Sequence, residues 1–321
     1  MATVYPIQVA SAFDVTPSYS GNFIPTLWSG KLAEKFYAAS TFADCSNTDW
    51  EGDIKNMGDT VRINTIPTVT IRDYKVGQNL TYEVPTSGSI DLLINQGKYF
   101  GVQVSDVLEY QAKPSLMSMF TDDAAMQMKI AVDRECWLNL FNQGAAANYG
   151  ATAGALSAAY NIGTDTTPVT LTGANILQTI NALGSVLDEQ NVPETDRFLV
   201  LTPYDRQILM SSNLAQAQFM GDATSIQRNG KIGQIDRFTV YVSNLLPKAA
   251  AGQDYFGAAS AGTAKRHTMV AGHKCAMSFA SQITKVENIP NPNDFGQLVR
   301  GLNVYGRGIT QASGLTAAIV A

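Results

Sequence analysis

The chain reads as an α+β protein, and three observations carry that assignment. Apolar side chains alternate with polar ones through much of Gly58–Ser105, the period of strands with one buried face. Residues Pro114–Phe141 are mostly good helix formers with no glycine or proline after the first position. Residues 172–275 then intermix helical and strand-like segments in one unit. With 321 residues, 45% of them hydrophobic, the chain is long enough for a substantial core in one large or two modest domains.

Residues 1–50 read as an arm with one embedded helix. From Ile24 onward, Leu27, Trp28, Leu32 and Phe36 fall on one helical face, with Lys31, Glu34 and Lys35 elsewhere. Trp28 and Phe36 either pack on their own domain or anchor the arm to a neighbour, as interface aromatics do. The alternating stretch pairs Val61 with Ile63, Val69 with Ile71, Leu80 with Tyr82 and Val84, and Phe100 with Val102 and Val104. It predicts a long two-stranded projection whose charged tip is Arg72-Asp73-Tyr74-Lys75-Val76-Gly77, with a glycine suited to a turn. An isolated pair of strands buries too little apolar surface to offset its own ordering. The projection therefore needs a surface to lie on, and a neighbouring subunit is the economical one.

Pro114–Phe141 predicts an unbroken helix of about 28 residues, roughly 42 Å long. Met126, Ile130, Trp137 and Phe141 are its expected packing stripe, with Asp122, Asp123, Lys129, Asp133 and Arg134 as polar positions. Residues 145–173 are rich in Ala, Gly, Thr and Asn and read as a loop-rich connection. Next come a helix through Ile176, Ile180, Leu183 and Leu187, a buried strand at 197–201, a helix over 204–212 and a strand at 238–243. Residues 248–264 read as an exposed loop, and Thr268–Thr310 as further strands before an uncharged tail.

Charged residues make up only 15% of the chain, against roughly 25% in ordinary soluble domains, which suggests that much of the surface does not face water. A net charge of −5 and a pI near 5.1 supply no positive field to hold a polyanion by its phosphates, although enclosing one remains open. The first residues lack a basic region followed by an apolar core, and no segment approaches a bilayer span, so a soluble, cytoplasmic product is expected. Cys45, Cys136 and Cys275 are odd in number and widely spaced, which predicts reduced, mostly buried thiols instead of a disulfide framework or zinc site.

Catalytic chemistry has few places to reside. His267 and His273 are the only histidines, and His273-Lys274-Cys275 alone brings imidazole and thiol close in sequence. Alternation through Met269, Ala271, His273 and Cys275 would place them on one strand face, but strand geometry does that without activating a thiol. Gly306-Arg307-Gly308 lacks the third glycine of a dinucleotide fingerprint. Asn229-Gly230-Lys231-Ile232 lacks the earlier glycine and the Ser/Thr of a phosphate loop. Asp122 and Asp123 point about 100° apart on a helix and make a poor acid/base pair. Neither an active site nor a cofactor or metal site is expected.

Four segments, in order, resemble the major capsid proteins of tailed double-stranded DNA bacteriophages, the Hong Kong 97 fold: IPTLWSGKLAEKFY (24–37), GDTVRINTIPTVTIRDYKVGQNLTYE (58–83), MKIAVDRE (128–135) and the run from Met269 to Arg307. The resemblance implies an N-arm over 1–50 and an extended loop (E-loop) over 51–104. It implies a peripheral P-domain from 105–171 and 276–321 with the spine helix 114–141, and an axial A-domain over 172–275. It further implies self-assembly as hexamers and pentamers into an icosahedral head, the virion capsid, enclosing double-stranded DNA without sequence-specific binding. Assembly would take place in the host cytoplasm without a membrane. The short segment before Ile24 implies a separate scaffolding protein; a portal protein is a further implied partner, with room for a decoration protein. Within this picture Trp28, Phe36, Arg72, Asp73, Tyr74 and Lys75 are the expected inter-subunit contacts. An encapsulin-type shell around protein cargo and a small-molecule α+β enzyme are the alternatives.

Overall fold

The computed structural model describes residues 37–38, 40–49, 60–67, 69–105, 116–212, 233–262, 264–292 and 295–321. The helix expected from Ile24, with Trp28 and Phe36, lies outside the described residues, as do Pro114 and Asn229–Ile232.

Fold assembly centres on a six-stranded sheet. It is built from β4 (Arg197–Leu201), β5 (Gln234–Ile235), β6 (Phe238–Val242), β8 (Arg266–His273) and β11 (Leu315–Val320), with β7 (Lys248–Ala249) alongside β8. The order is β11-β8-β4-β6-β5; β4 and β6 run parallel and the other pairs antiparallel. Every residue of β4 is buried, because both faces of the sheet are covered. The period of two sorts its side chains: Leu199 and Leu201 pack with one apolar cluster, Phe198 and Val200 with the other. The first cluster is closed by helix α3 (Ile176–Glu189), whose Ile176, Ile180, Leu183 and Leu187 are buried as their spacing predicts.

The second cluster is closed by α2 (Leu116–Leu140), the long helix, and by the short α1 (Phe42–Cys45). Only the C-terminal half of α2 is deeply packed, through Val132, Cys136, Trp137 and Leu140, with Phe141 just beyond its end. The expected stripe is corrected at two positions. Met126 is half-exposed, and Asp133, one of the expected polar positions, is 3% exposed. Asp133 is tolerated because its Oδ1 and Oδ2 accept the backbone N–H groups of Phe42 (2.8 Å) and Thr41 (3.1 Å). Those bonds seat Phe42 edge-on against Trp137, ring centroids 5.1 Å apart.

A second, three-stranded antiparallel sheet has the order β3 (Gln96–Ser105), β10 (Gly296–Ile309), β9 (Met277–Pro290). The alternating run Phe100, Val102 and Val104 therefore belongs to this sheet and not to the projection. A Cβ at Gly301, directly opposite Phe100, would overlap the Phe100 ring, so glycine lets that ring cross the sheet. Ion pairs of Glu135 with Lys98 (2.5 Å) and Arg307 (2.8 Å) tie α2 to β3 and β10.

Segments expected as loops also carry packing. Within 145–173, Asn148 is buried and donates to the carbonyls of Ser313 and Leu315 (both 2.9 Å), and Ile162 is fully buried. In 248–264, expected as an exposed loop, Tyr255 packs against Phe141 at 5.0 Å. The helix expected over 204–212 is α4 (Pro203–Met210), closed at its start by a reciprocal cap between Thr202 and Asp205.

Candidate assembly interface

The projection begins at the antiparallel pair β1 (Thr60–Asn64) and β2 (Ser89–Leu93). Its base is anchored by Ile63 and Leu92, which pack with Ile94, Ala280 and Val304. The legs continue outward to a turn in which Gln78 donates its backbone N–H to the carbonyl of Lys75 (3.1 Å). Gly77 there has φ 87°, a left-handed conformation that glycine adopts without a Cβ clash. The turn lies within the tip expected from the sequence, but the ladder stops far short of it, near Thr65 and Gly88.

Residues 69–89 are all exposed. Ile66, Val69, Ile71, Tyr74, Val76, Leu80, Tyr82 and Val84 form a run of large apolar side chains in water, with Ile71 90% and Val76 95% exposed. Scattered exposed apolar residues are ordinary; eight on one projection make it a candidate interaction surface.

The four expected tip residues differ in their surroundings. Arg72 is engaged on its own chain: Nη1 donates to Thr81 Oγ1, and Nη2 lies 3.7 Å from Glu83 Oε2. Asp73 and Lys75 are exposed, with no side-chain partner among the described residues, and the Tyr74 ring is 68% exposed. On the body of the protein, an apolar groove of about 310 Å³ opens between α2 and the three-stranded sheet. Phe42, Phe100, Ala125, Met128, Val132 and Val286 line it. Tyr37 donates its hydroxyl to Asp123 Oδ1 (2.8 Å), so the chain enters beside the same helix. This groove was not legible in sequence, because its walls come from segments more than 200 positions apart.

The residues considered for catalysis do not form a reactive set. Strand β8 ends at His273, and Lys274–Ala276 is a 3₁₀ turn, so Cys275 does not continue the strand face as expected. The bond between these residues runs from the Cys275 backbone N–H to His273 Nδ1 (3.1 Å), leaving the exposed thiol out of it. His267 Nε2 lies 2.6 Å from Asp205 Oδ1, inside the α4 cap. Cys45 and Cys136 are buried; burial pushes both thiols up, Cys136 to about 12, away from thiolate chemistry. Burial likewise raises the carboxyl of Asp133, against the two N–H bonds it accepts. Burial also acts to raise Glu135, but Lys98 and Arg307 outweigh it and hold that carboxyl below the usual range. Among the described residues no three His, Cys, Asp or Glu side chains gather closely enough to hold a metal ion. Among the same residues, no helix is long and apolar enough to cross a membrane.

Comparison with known proteins settles what this architecture is for. The model of the family described as phage capsid protein matches residues 90–317. The chain belongs to the phage capsid protein family. No curated protein matches it in sequence. A solved chain from Mycobacterium phage Che8 is 26% identical, with TM-score 0.73, over 93% of this chain and 97% of that one. The capsid structure of the cyanophage P-SCSP1u shares the fold at 15% identity, TM-score 0.70 and 94% coverage of both chains. The mature capsid of bacteriophage PhiM1 does so at 17% identity, TM-score 0.65 and coverage of 92% and 91%. The capsid protein is thus a structural protein of the virion, assembled from many copies of itself, with the Hong Kong 97-type fold expected from its sequence.

Proposed function

We propose that this capsid protein builds its shell by laying the hairpin of one copy over the groove beside α2 of the next, and that it carries no catalytic site. The observation that supports this is the hairpin itself: a run of eight large apolar side chains exposed on its own chain, where every other copy presents an apolar groove. The same proposal names the N-arm (1–50), the projecting part of 51–104 as the extended loop, α2 as the spine of the peripheral domain, and 172–275 as the axial domain, to whose sheet β11 adds a strand. Copies associate as hexamers and pentamers into an icosahedral head around double-stranded DNA, with a separate scaffolding protein and a portal protein. A net charge of −5 suits a lining that must not hold DNA fast. Trp28 and Phe36 are proposed as further inter-subunit anchors.

Sedimentation and electron microscopy of the chain expressed with its scaffolding partner test this. Particles far heavier than the 34.5 kDa subunit are expected, and a monomer persisting at assembly concentrations overturns the proposal. At the tip, Asp73 and Lys75 give the cleanest test of inter-subunit polar contact, since neither has a side-chain partner among the described residues. Reversing either charge should cost about 0–1 kcal/mol per contact, repeated in every subunit. Shells of Asp73→Lys or Lys75→Glu should then come apart at lower denaturant than the parent, with unchanged subunit circular dichroism. Parental resistance in both variants means that the tip is merely solvated.

A further inference from the structure

We propose that Glu83 is the positioning residue that pre-organises the hairpin before it meets a neighbour, standing in for a β-ladder that the described residues of its legs do not form. The inference rests on the proposed seating of the hairpin on a second copy.

The last main-chain bond at the base runs from Thr65 N to Gly88 O (2.8 Å), and the next joins Gln78 to Lys75 at the turn. Between them, among the described residues, the legs are connected through side chains. Glu83 Oε1 accepts the Thr70 backbone N–H (2.7 Å) while Oε2 faces the Arg72 guanidinium, which also donates to Thr81. One carboxylate thereby satisfies a main-chain donor of the opposite leg and orients the arginine that reaches back across.

The pairing is in register. Thr60 opposite Leu93 and Asn64 opposite Ser89 belong to the ladder. Thr65 with Gly88, Thr70 with Glu83, Arg72 with Thr81 and Lys75 with Gln78 continue that one antiparallel register to the turn. In this register Val69 stands opposite Val84 and Ile71 opposite Tyr82, alternating with the polar pairs. Arg62 and Asp91, 3.0 Å apart at the base, fall in the same alternation as the clamp, whereas Ile63 and Leu92 fall with the apolar pairs. A slip of one residue would exchange the two sets of positions. Glu83 therefore keeps the apolar pairs of the exposed legs aligned with the buried apolar base, as a surface for one neighbour.

Ordering such a hairpin before association lowers what association must spend on it. In Glu83→Ala, free subunits below assembly concentration should exchange the Thr70 amide about tenfold faster, and the critical concentration for assembly should rise about three- to tenfold. The thermal midpoint of the free subunit should not move. Glu83→Gln, which keeps an oxygen for the Thr70 N–H but loses the charge facing Arg72, should fall between parent and alanine. Parental exchange at Thr70 together with parental assembly overturns the clamp. Impaired assembly with parental exchange at Thr70 overturns it too, because Glu83 would then act by touching the neighbour. A variant whose hairpin is cut back to a short turn separates the two levels: if it still forms shells, the seating itself fails; if it does not while Glu83→Ala behaves as the parent, only the clamp fails.

Discussion

Replacing residues 70–83 by Asn-Gly, together with Val84→Thr, should leave a folded subunit that forms no shells. No side chain of that segment belongs to any of the three buried apolar clusters, so the body of the protein loses nothing it packs on. The ladder between β1 and β2 remains, and Asn-Gly suits a tight reversal of antiparallel strands. What disappears is the apolar surface of Ile71, Tyr74, Val76, Leu80, Tyr82 and Val84. Full burial of one such side chain contributes roughly 1.5–3 kcal/mol; half-burial of the six on a neighbour amounts to about 5–9 kcal/mol per contact. Its loss corresponds to a weakening of more than about a thousand-fold per contact. Sedimentation velocity should show only free subunits or small capsomers, while far-ultraviolet circular dichroism and the denaturation midpoint stay near the parent. Shells of normal yield would remove the hairpin from the assembly mechanism.

The largest loss of subunit stability should follow Trp137→Ala. Trp137 is fully buried where α1, α2 and the six-stranded sheet meet, touching Phe42 at 5.1 Å and Phe198 at 6.4 Å between ring centroids. Its indole N–H has no hydrogen-bond partner among the described residues, so the loss is one of apolar packing and of the cavity left behind. Such a change costs about 3–5 kcal/mol in a well-packed core. Against a total stability of about 5–15 kcal/mol, that is enough to raise the unfolded fraction at least a hundred-fold. Urea unfolding followed by circular dichroism checks it, and a loss below about 1 kcal/mol means the cavity collapses without consequence.

Residue patterns made the local elements legible. The spacing of Ile176, Ile180, Leu183 and Leu187 marks α3, and the unbroken apolar run at 198–201 marks a strand buried on both faces. The charged, glycine-bearing segment Arg72–Gly77 falls at the end of the hairpin, where the turn occurs. The candidate interface was half legible: an alternating projection without a core of its own announces that something must cover it. The groove that could receive it was not, because Phe42, Met128 and Val286 carry no mark of their later proximity.

Other misreadings have the same origin. Asp133 sits in helical sequence as any surface aspartate would, and only the arrival of Thr41 and Phe42 some 90 positions away makes its burial tolerable. Nothing in the sequence names the partners of Arg197 and Arg266, whose side chains are fully buried against Asp188 (2.7 Å) and Asp165 (2.6 Å). The alternation of Phe100, Val102 and Val104 predicts a strand correctly but cannot say that its partner is β10, nor that β11 joins β8. Sequence by itself determined where strands and helices form, which faces are apolar, and that a long projection stands without internal support, since these follow from backbone periods of 2 and 3.6 residues. Tertiary structure alone decided which strands pair, which charges are buried and where the groove opens, because those depend on contacts between segments whose sequences do not encode each other's position.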